Sequence, residues 1–233
     1  MTDLTQRLDR IRQQRGYLLP HHGLMATAMP EVLDAYDALY RQLAFSHGGL
    51  SEHDHELIWL AILAAKHEGI ATHHVTRFLA AGGTRDEIVG VLGVSAAAAG
   101  CPTWQFADQA WAAHVEGLDA EVAFCAAIER AGNGLSAAAI HLSAISALVC
   151  CGNFKGLRWQ LRAAYRGQVD EHAIAHALAL TMFPGSVPGF VQAAEVWQSL
   201  IVAGEVEATQ PFRIWARSAG QGGHNATSES AID

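Results

Sequence analysis

Histidines crowd the first third of this chain, and their chemistry suggests proton transfer. Thirteen histidines occur in 233 residues, and eight of them precede residue 75. Imidazole is the side-chain group best suited to take up or release a proton near neutral pH. A neighbouring carboxylate can fix its tautomer and stabilise the imidazolium, more strongly in an apolar pocket. We therefore predict an acid–base site drawn from Glu56, His74, His73 and His67.

The spacing of these residues limits how they can meet. Glu56 and His67 share one face of a predicted helix, with two leucines between them. They are about three turns apart, so they can cooperate only across a pocket. His73 and His74 are neighbours that point about 100° apart, so one of the two is expected to face that pocket. His53 and His55 are expected on the solvated face.

The same groups could bind a divalent metal ion, which gives a second hypothesis from another class. A metal-dependent hydrolase or oxygenase would draw its ligands from His67, His73, His74, Glu56, Glu68, His21 and His22. The local string H-E-x-x-x-x-H-H is not the H-E-x-x-H of zinc peptidases, so the metal site is only the alternative. We predict no cofactor. A non-catalytic protein that binds a small molecule is the third hypothesis.

Helical periodicity dominates the chain and strand-like alternation is scarce, which predicts an all-α fold. The predicted helices run from Pro30 to Leu43, from an N-cap at Ser51 to about Lys66, from about Thr72 to Ala81 and from an N-cap at Thr84 to about Gly100. Gly82 and Gly83 end the third of these. The segment around His21 and His22 is predicted to be a short turn that is either a lid over the pocket or a packed connector.

The helical pattern restarts near Ser136, which predicts two tandem copies of one helical unit. Shifting the chain by about 85 places aligns Gly82 with Gly167 and Gly100 with Gly185. The predicted divisions are an N-terminal arm and candidate lid (1–29), a first unit (30–115), a connector (116–134), a second unit (135–202) and a C-terminal extension with a flexible tail (203–233). In the second unit the residues matching Glu56, His73 and His74 are His141, Arg158 and Trp159. That copy has lost the acid–imidazole pair.

The first unit contains three motifs in a fixed order. The segment from Leu50 to Ile58 has the form L-S-x-x-x-x-E-L-I, the helix with His74 follows, and then come G-x-T-x-x-E-I at 82–88 and A-G-C-P at 99–102. Together these motifs resemble the carboxymuconolactone decarboxylase family, which includes the AhpD-like alkylhydroperoxidase branch. The resemblance covers roughly residues 30–111 and, more weakly, 136–197.

This resemblance implies an AhpD-like helical bundle and a cofactor-free lyase or isomerase that moves a proton next to a carbonyl or lactone. It also implies a homo-oligomer: single-unit members form rings of six, so a fused pair is expected to form a homotrimer. The peroxidase branch carries a C-x-x-C just before the histidine, whereas His67 and Ile70 stand at those places here. We therefore predict that dithiol peroxidase chemistry is absent.

The substrate is predicted to be a small carbonyl- or carboxylate-bearing molecule. Candidate binding residues are His21, His22, Arg77, Trp104, Arg158 and Trp159. An arginine would supply positive charge to an anionic substrate, and Arg158 would do so across a unit interface. The formal charge of −8, without a basic run, argues against nucleic acid and anionic membranes as partners.

The composition predicts a cytoplasmic protein with reduced thiols. No eighteen consecutive residues are apolar, and the charged N-terminus lacks the apolar block of a signal peptide. The four cysteines contain no C-x-x-C, so a disulfide framework is not expected. Cys150 and Cys151 lie in an apolar run and are expected to be buried and unreactive.

Overall fold

The structure, a computed structural model, describes residues 4–222. Within them the regular structure is entirely helical, which confirms the predicted all-α class. The chain divides into two compact units, residues 1–46 and residues 47–233, whose bounds differ from those of the two predicted tandem copies. The first unit contains α1 (Leu4–Arg15), α2 (Pro20–Ala28) and α3 (Pro30–Phe45).

Helix α2 replaces the turn that was predicted around His21 and His22. Pro20 occupies the start of the helix, where its missing N–H would have no intrahelical partner in any case. The Leu19 N–H donates to His22 Nδ1 at 3.3 Å, and His22 is buried. The prediction of a turn was wrong because proline at this position starts a helix rather than ending one.

The second unit contains ten helices within the described residues. They are α4 (Glu52–Lys66), α5 (His73–Ala80), α6 (Arg85–Ala99), α7 (Cys101–Ala110), α8 (Ala120–Ala131), α9 (Ala137–Cys150), α10 (Phe154–Arg166), α11 (Glu171–Leu180), α12 (Val187–Val202) and α13 (Gln210–Arg217). Side-chain caps set many of their starts. The hydroxyl oxygens of Ser51, Thr84 and Ser136 each accept a backbone N–H from the first turn of the following helix.

Helices α4 and α9 form the centre of the second unit. α4 packs against α5, α6, α9 and α11, while α9 packs against α6, α8, α10, α11 and α12. Nine consecutive residues of α4, from His55 to Leu63, are buried. All of α9 from Ala139 to Cys150 is buried as well. A helix buried on every side belongs to the middle of a core, so any polar group on it must find a partner inside the protein.

The turn between α5 and α6 holds α5 against α4. Gly82 has a φ of +90°, a conformation that favours glycine. At Gly83 a Cβ atom would lie 2.3 Å from the ring of Phe78, so only glycine allows this close approach. Phe78 is fully buried and belongs to a cluster with Leu57 and Leu60 of α4. This packing fixes the face of α5 relative to α4.

Two helices lie where the sequence predicted a connector and an extension. α8 occupies most of the predicted connector and buries Phe124, Cys125 and Ile128 against its neighbours. α13 lies in the extension, and the preceding Thr209 N–H donates to the Glu171 carboxylate at 3.1 Å. The predicted flexible tail lies outside the described residues beyond position 222. The tandem duplication stays a prediction.

One stretch of the described residues is long and apolar enough to span a membrane by length and composition. It runs from Arg85 to Ala110 and joins α6 to α7, with a mean hydropathy of 1.2 in its most apolar window. The core helix of a soluble protein passes the same test. α6 packs against α4, α8 and α9, and 33% of the most apolar window is buried.

Candidate active site

Glu56 and His74 meet inside the larger compact unit, residues 47–233. His74 Nδ1 lies 2.6 Å from Glu56 Oε2, and the side chains are 1 % and 0 % exposed. An ionised carboxylate can only accept a hydrogen bond, so the imidazole proton sits on Nδ1 and donates to Oε2. In the neutral ring Nε2 is then the basic nitrogen. His74, rather than His73, therefore forms the pair with the acid.

Arg77 contacts the other oxygen of the same carboxylate. Its Nη2 lies 2.8 Å from Glu56 Oε1, and its side chain is 24 % exposed. The contact is an ion pair without the alignment of a hydrogen bond. Arg77 stands one helical turn after His74, so the two residues share a face of α5. Arg77 was predicted to bind substrate; in the structure it balances the charge of the Glu56 carboxylate.

The indole of Trp59 forms one wall of the site. Its ring stacks on the His74 imidazole with centroids 4.4 Å apart and planes at 17°. Trp59 is 2 % exposed and lies on α4 one turn after Glu56. The sequence analysis missed this residue. The i, i+3 spacing from Glu56 was the signal that could have found it.

His55 is fully buried, which corrects the prediction that it lies on a solvated face. From His55 to Leu63 every residue of α4 is buried among other helices, so this stretch has no face left for solvent. Trp59 Nε1 donates to His55 Nε2 at 3.1 Å. Desolvation, followed by the nearby rings of His176 and His47, lowers the pKa of His55 from 6.5 to about 3. His55 is therefore neutral at physiological pH.

His73 is half-buried beside the pair. Its ring centroid is 4.4 Å from that of His74. Burial, and then the proximity of His74 and Arg77, lowers the pKa of His73, while Glu56 opposes this shift. His73 is therefore a neutral neighbour at pH 7.

His67 lies away from the pair. It caps the C-terminus of α4 in the left-handed conformation, with a φ of 53°, and is exposed. The helical rise places it roughly 16 Å along α4 from Glu56. It borders an open, mainly apolar groove of about 730 Å³ between α4, α5 and α6 that contains neither Glu56 nor His74. Its predicted cooperation with Glu56 therefore has no structural basis within one chain.

The remaining candidate binding residues lie elsewhere. Arg158 donates to Ser199 Oγ at 2.8 Å and to Glu205 at 2.7 Å. Trp159 is buried beside Phe124, and Trp104 is half-buried on α7. Neither Arg158 nor Trp159 joins the Glu56–His74 pair within one chain. His21 and His22 lie on α2 of the first unit, so their role as a lid stays a prediction.

A second buried polar pair connects α9 and α10. The Gln160 amide N–H donates to His141 Nδ1 at 2.7 Å. The residue that meets His141 is thus Gln160, one position after the Trp159 that the sequence alignment suggested. Desolvation lowers the pKa of His141. This neutral pair contains no carboxylate, so α9 and α10 do not repeat the chemistry of Glu56 and His74.

A metal centre finds no support in residues 4–222. No group of three or more histidine, cysteine or acidic side chains there has an arrangement that could hold an ion. The four thiols are free. Cys150 is buried, as predicted, and desolvation raises its pKa to about 12, but Cys151 is exposed because it lies just beyond the end of α9.

Comparison with known proteins agrees with the motif analysis. Residues 30–113 match the model of the carboxymuconolactone decarboxylase family. No curated protein and no solved structure matches the chain. The matched segment contains Glu56, Trp59, His74 and Arg77. Over residues 30–113 this chain is therefore similar to the carboxymuconolactone decarboxylase family.

Proposed function

We propose that this protein is a cofactor-free lyase or isomerase that moves a proton next to the carbonyl group of a small lactone or keto acid. The buried contact of 2.6 Å between His74 and Glu56 carries the proposal. The match of residues 30–113 to the family model supports the reaction class. We expect the enzyme to act as a homotrimer, as the family resemblance implies.

In this mechanism His74 is the general acid and base. For decarboxylation, the bond between the substrate's carbon and its carboxylate breaks, CO2 leaves and the electron pair is delocalised into the carbonyl as an enolate. The His74 imidazolium then donates its Nε2 proton to the carbon. For isomerisation, Nε2 first removes a proton from one carbon and returns it to another. Glu56 holds Nδ1–H throughout and stabilises the imidazolium.

Arg77 tunes this arrangement. Its positive charge balances the negative charge of the Glu56 carboxylate, which is fully buried. His55 and His73, both with lowered pKa values, add no positive charge at neutral pH. Protonated His74 is then the charge that responds to an enolate or carboxylate of the substrate.

The test is proton exchange measured by NMR in D2O. Candidate compounds are γ-carboxymuconolactone and a panel of lactones and keto acids, with CO2 release followed in parallel. His74→Gln should lower exchange about 100- to 10,000-fold, the range that general acid–base catalysis contributes. The matched control is His53→Gln, since His53 also lies on a site helix but contacts Glu87 instead. Full activity in a folded His74→Gln variant would refute the proposal.

A further inference from the structure

A chain of hydrogen bonds extends from the site into the second half of the protein. His55 Nε2 accepts from Trp59 Nε1 at 3.1 Å. His55 Nδ1 lies 3.1 Å from Nε2 of His176, which is on α11. Trp59 in turn stacks on His74. Three side chains, His176, His55 and Trp59, thus connect α11 to the His74 imidazole.

The direction of these hydrogen bonds follows from the donors available. An indole N–H can only donate, so His55 Nε2 must be the acceptor. The proton of neutral His55 is then on Nδ1, which donates to His176 Nε2. Protonation of His55 would remove its acceptor and break the contact with Trp59. Its full burial keeps this ring neutral and the order of bonds fixed.

The contact between Trp59 and His74 links these hydrogen bonds to the proposed acid–base group of the site. An imidazolium over the face of an indole is stabilised by the electrons of the ring. The N–H that Trp59 donates to His55 fixes the indole in its plane and polarises it in the same favourable direction. Glu56 holds the edge of the imidazole through Nδ1, whereas Trp59 covers its face. The two contacts are therefore independent restraints on His74.

We infer that His55 and His176 are positioning residues that hold the Trp59 indole against the His74 imidazole, so that the half of the chain without an acid–imidazole pair completes the active site. This inference rests on the proposed function only in assigning catalysis to His74. It gives α11 a role beyond packing.

Few charged or titratable groups lie next to these hydrogen-bonded side chains. His74 faces Glu56, Arg77, His73 and His55. His55 faces His176, His47, Arg77 and His74. Of these, Arg77 and Glu56 form an ion pair. Replacing His176 or His55 by a neutral residue therefore leaves the formal charge around His74 unchanged at neutral pH.

The experiment compares His176→Leu with His172→Leu in the full chain. His172 lies one turn earlier on the same helix, is exposed and touches Phe212 instead. One readout is the ring-proton NMR resonance of His74, which the stacked indole shifts upfield. The other is the pH dependence of proton exchange. We expect His176→Leu to move the resonance downfield, shift the pH profile and lower the rate about 3- to 30-fold.

Two further variants keep the test independent of folding defects. His55→Gln should retain function, because an amide can accept from Trp59 and donate to His176, whereas His55→Leu should behave like His176→Leu.

The outcomes separate the two proposals. If His176→Leu matches His172→Leu in both readouts, the positioning role is wrong. If the His74 resonance moves but His74→Gln keeps full activity, the positioning role stands and the proposed function fails. If His74→Gln abolishes exchange while His176→Leu changes nothing, only the positioning role fails.

Discussion

The ion pair between Glu56 and Arg77 can be measured by a double-mutant cycle. Glu56→Gln removes the charge but keeps an oxygen that can accept from His74 Nδ1. Arg77→Met keeps much of the volume of the side chain and leaves the carboxylate with only its imidazole partner. The cycle comprises the two single variants, the double variant and the parent protein.

The structure sets the expected magnitude. At 2.8 Å and an effective dielectric constant of about 20, the attraction between the two charges is about 6 kcal/mol. Desolvation of the carboxylate, which is 0 % exposed, offsets a large part of this. We expect a coupling free energy of about 3 kcal/mol, with Arg77→Met alone costing about 3–5 kcal/mol because it strands a buried charge. The double variant should be more stable than the sum of the singles predicts.

Urea unfolding followed by circular dichroism gives the four free energies of unfolding. The matched control is the pair Asp108 and Lys155, which has a similar distance of 2.7 Å but side chains that are each 41 % exposed. Its coupling should be about 0.2–1 kcal/mol, as for other surface pairs. Equal coupling in the two cycles would refute the reasoning, because it would mean that burial does not strengthen the pair at Glu56.

Three further predictions concern other parts of the chain. Folding lowers the pKa of His55 from 6.5 to about 3, so between these pH values the unfolded chain binds one more proton than the folded chain at this residue. The free energy of unfolding should therefore drop by about 1.4 kcal/mol per pH unit below pH 6.5. Urea titrations at several pH values should show a shallower drop for His55→Gln. A thiol reagent should label Cys151 in the folded protein and all four cysteines only in denaturant, and early labelling of Cys101 would contradict this. Light scattering should give the mass of a trimer, whereas a monomer would exclude the expected assembly.

Helices α4, α5 and α6 were predictable because local sequence signals mark their ends. Ser51 and Thr84 cap their helices through their own hydroxyl groups, and Gly82 ends α5 in a conformation that favours glycine. The acid and the neighbouring histidines were also found, because they lie within and between the motifs, although the Glu56 to His74 spacing is one residue shorter than in the peroxidase branch. The choice of His74 over His73 needed coordinates, since a shift of one residue turns the side chain by about 100°.

What the sequence could not show depends on contacts between distant segments. His55 reads as a polar residue in a charged first turn, and only the packing of α4 among other helices explains its burial. Its partner His176 is 121 residues away, so no local pattern links them. The sequence alignment matched Trp159 with His74, whereas Gln160 is the residue that contacts His141. The two contacting residues are 18 positions apart in the Glu56–His74 pair and 19 positions apart in the His141–Gln160 pair.

The burial of the central residues of α4 and α9 has a consequence for dividing the protein into fragments. The buried middle of each helix is mainly apolar and packs against the other helix, so separating the two would expose apolar surface to water. A gene cut between α8 and α9 would yield two fragments with uncovered cores, which are expected to aggregate or to reassociate. We therefore expect that the half of the chain with the Glu56–His74 pair needs the other half in order to fold, and that both halves must be encoded together.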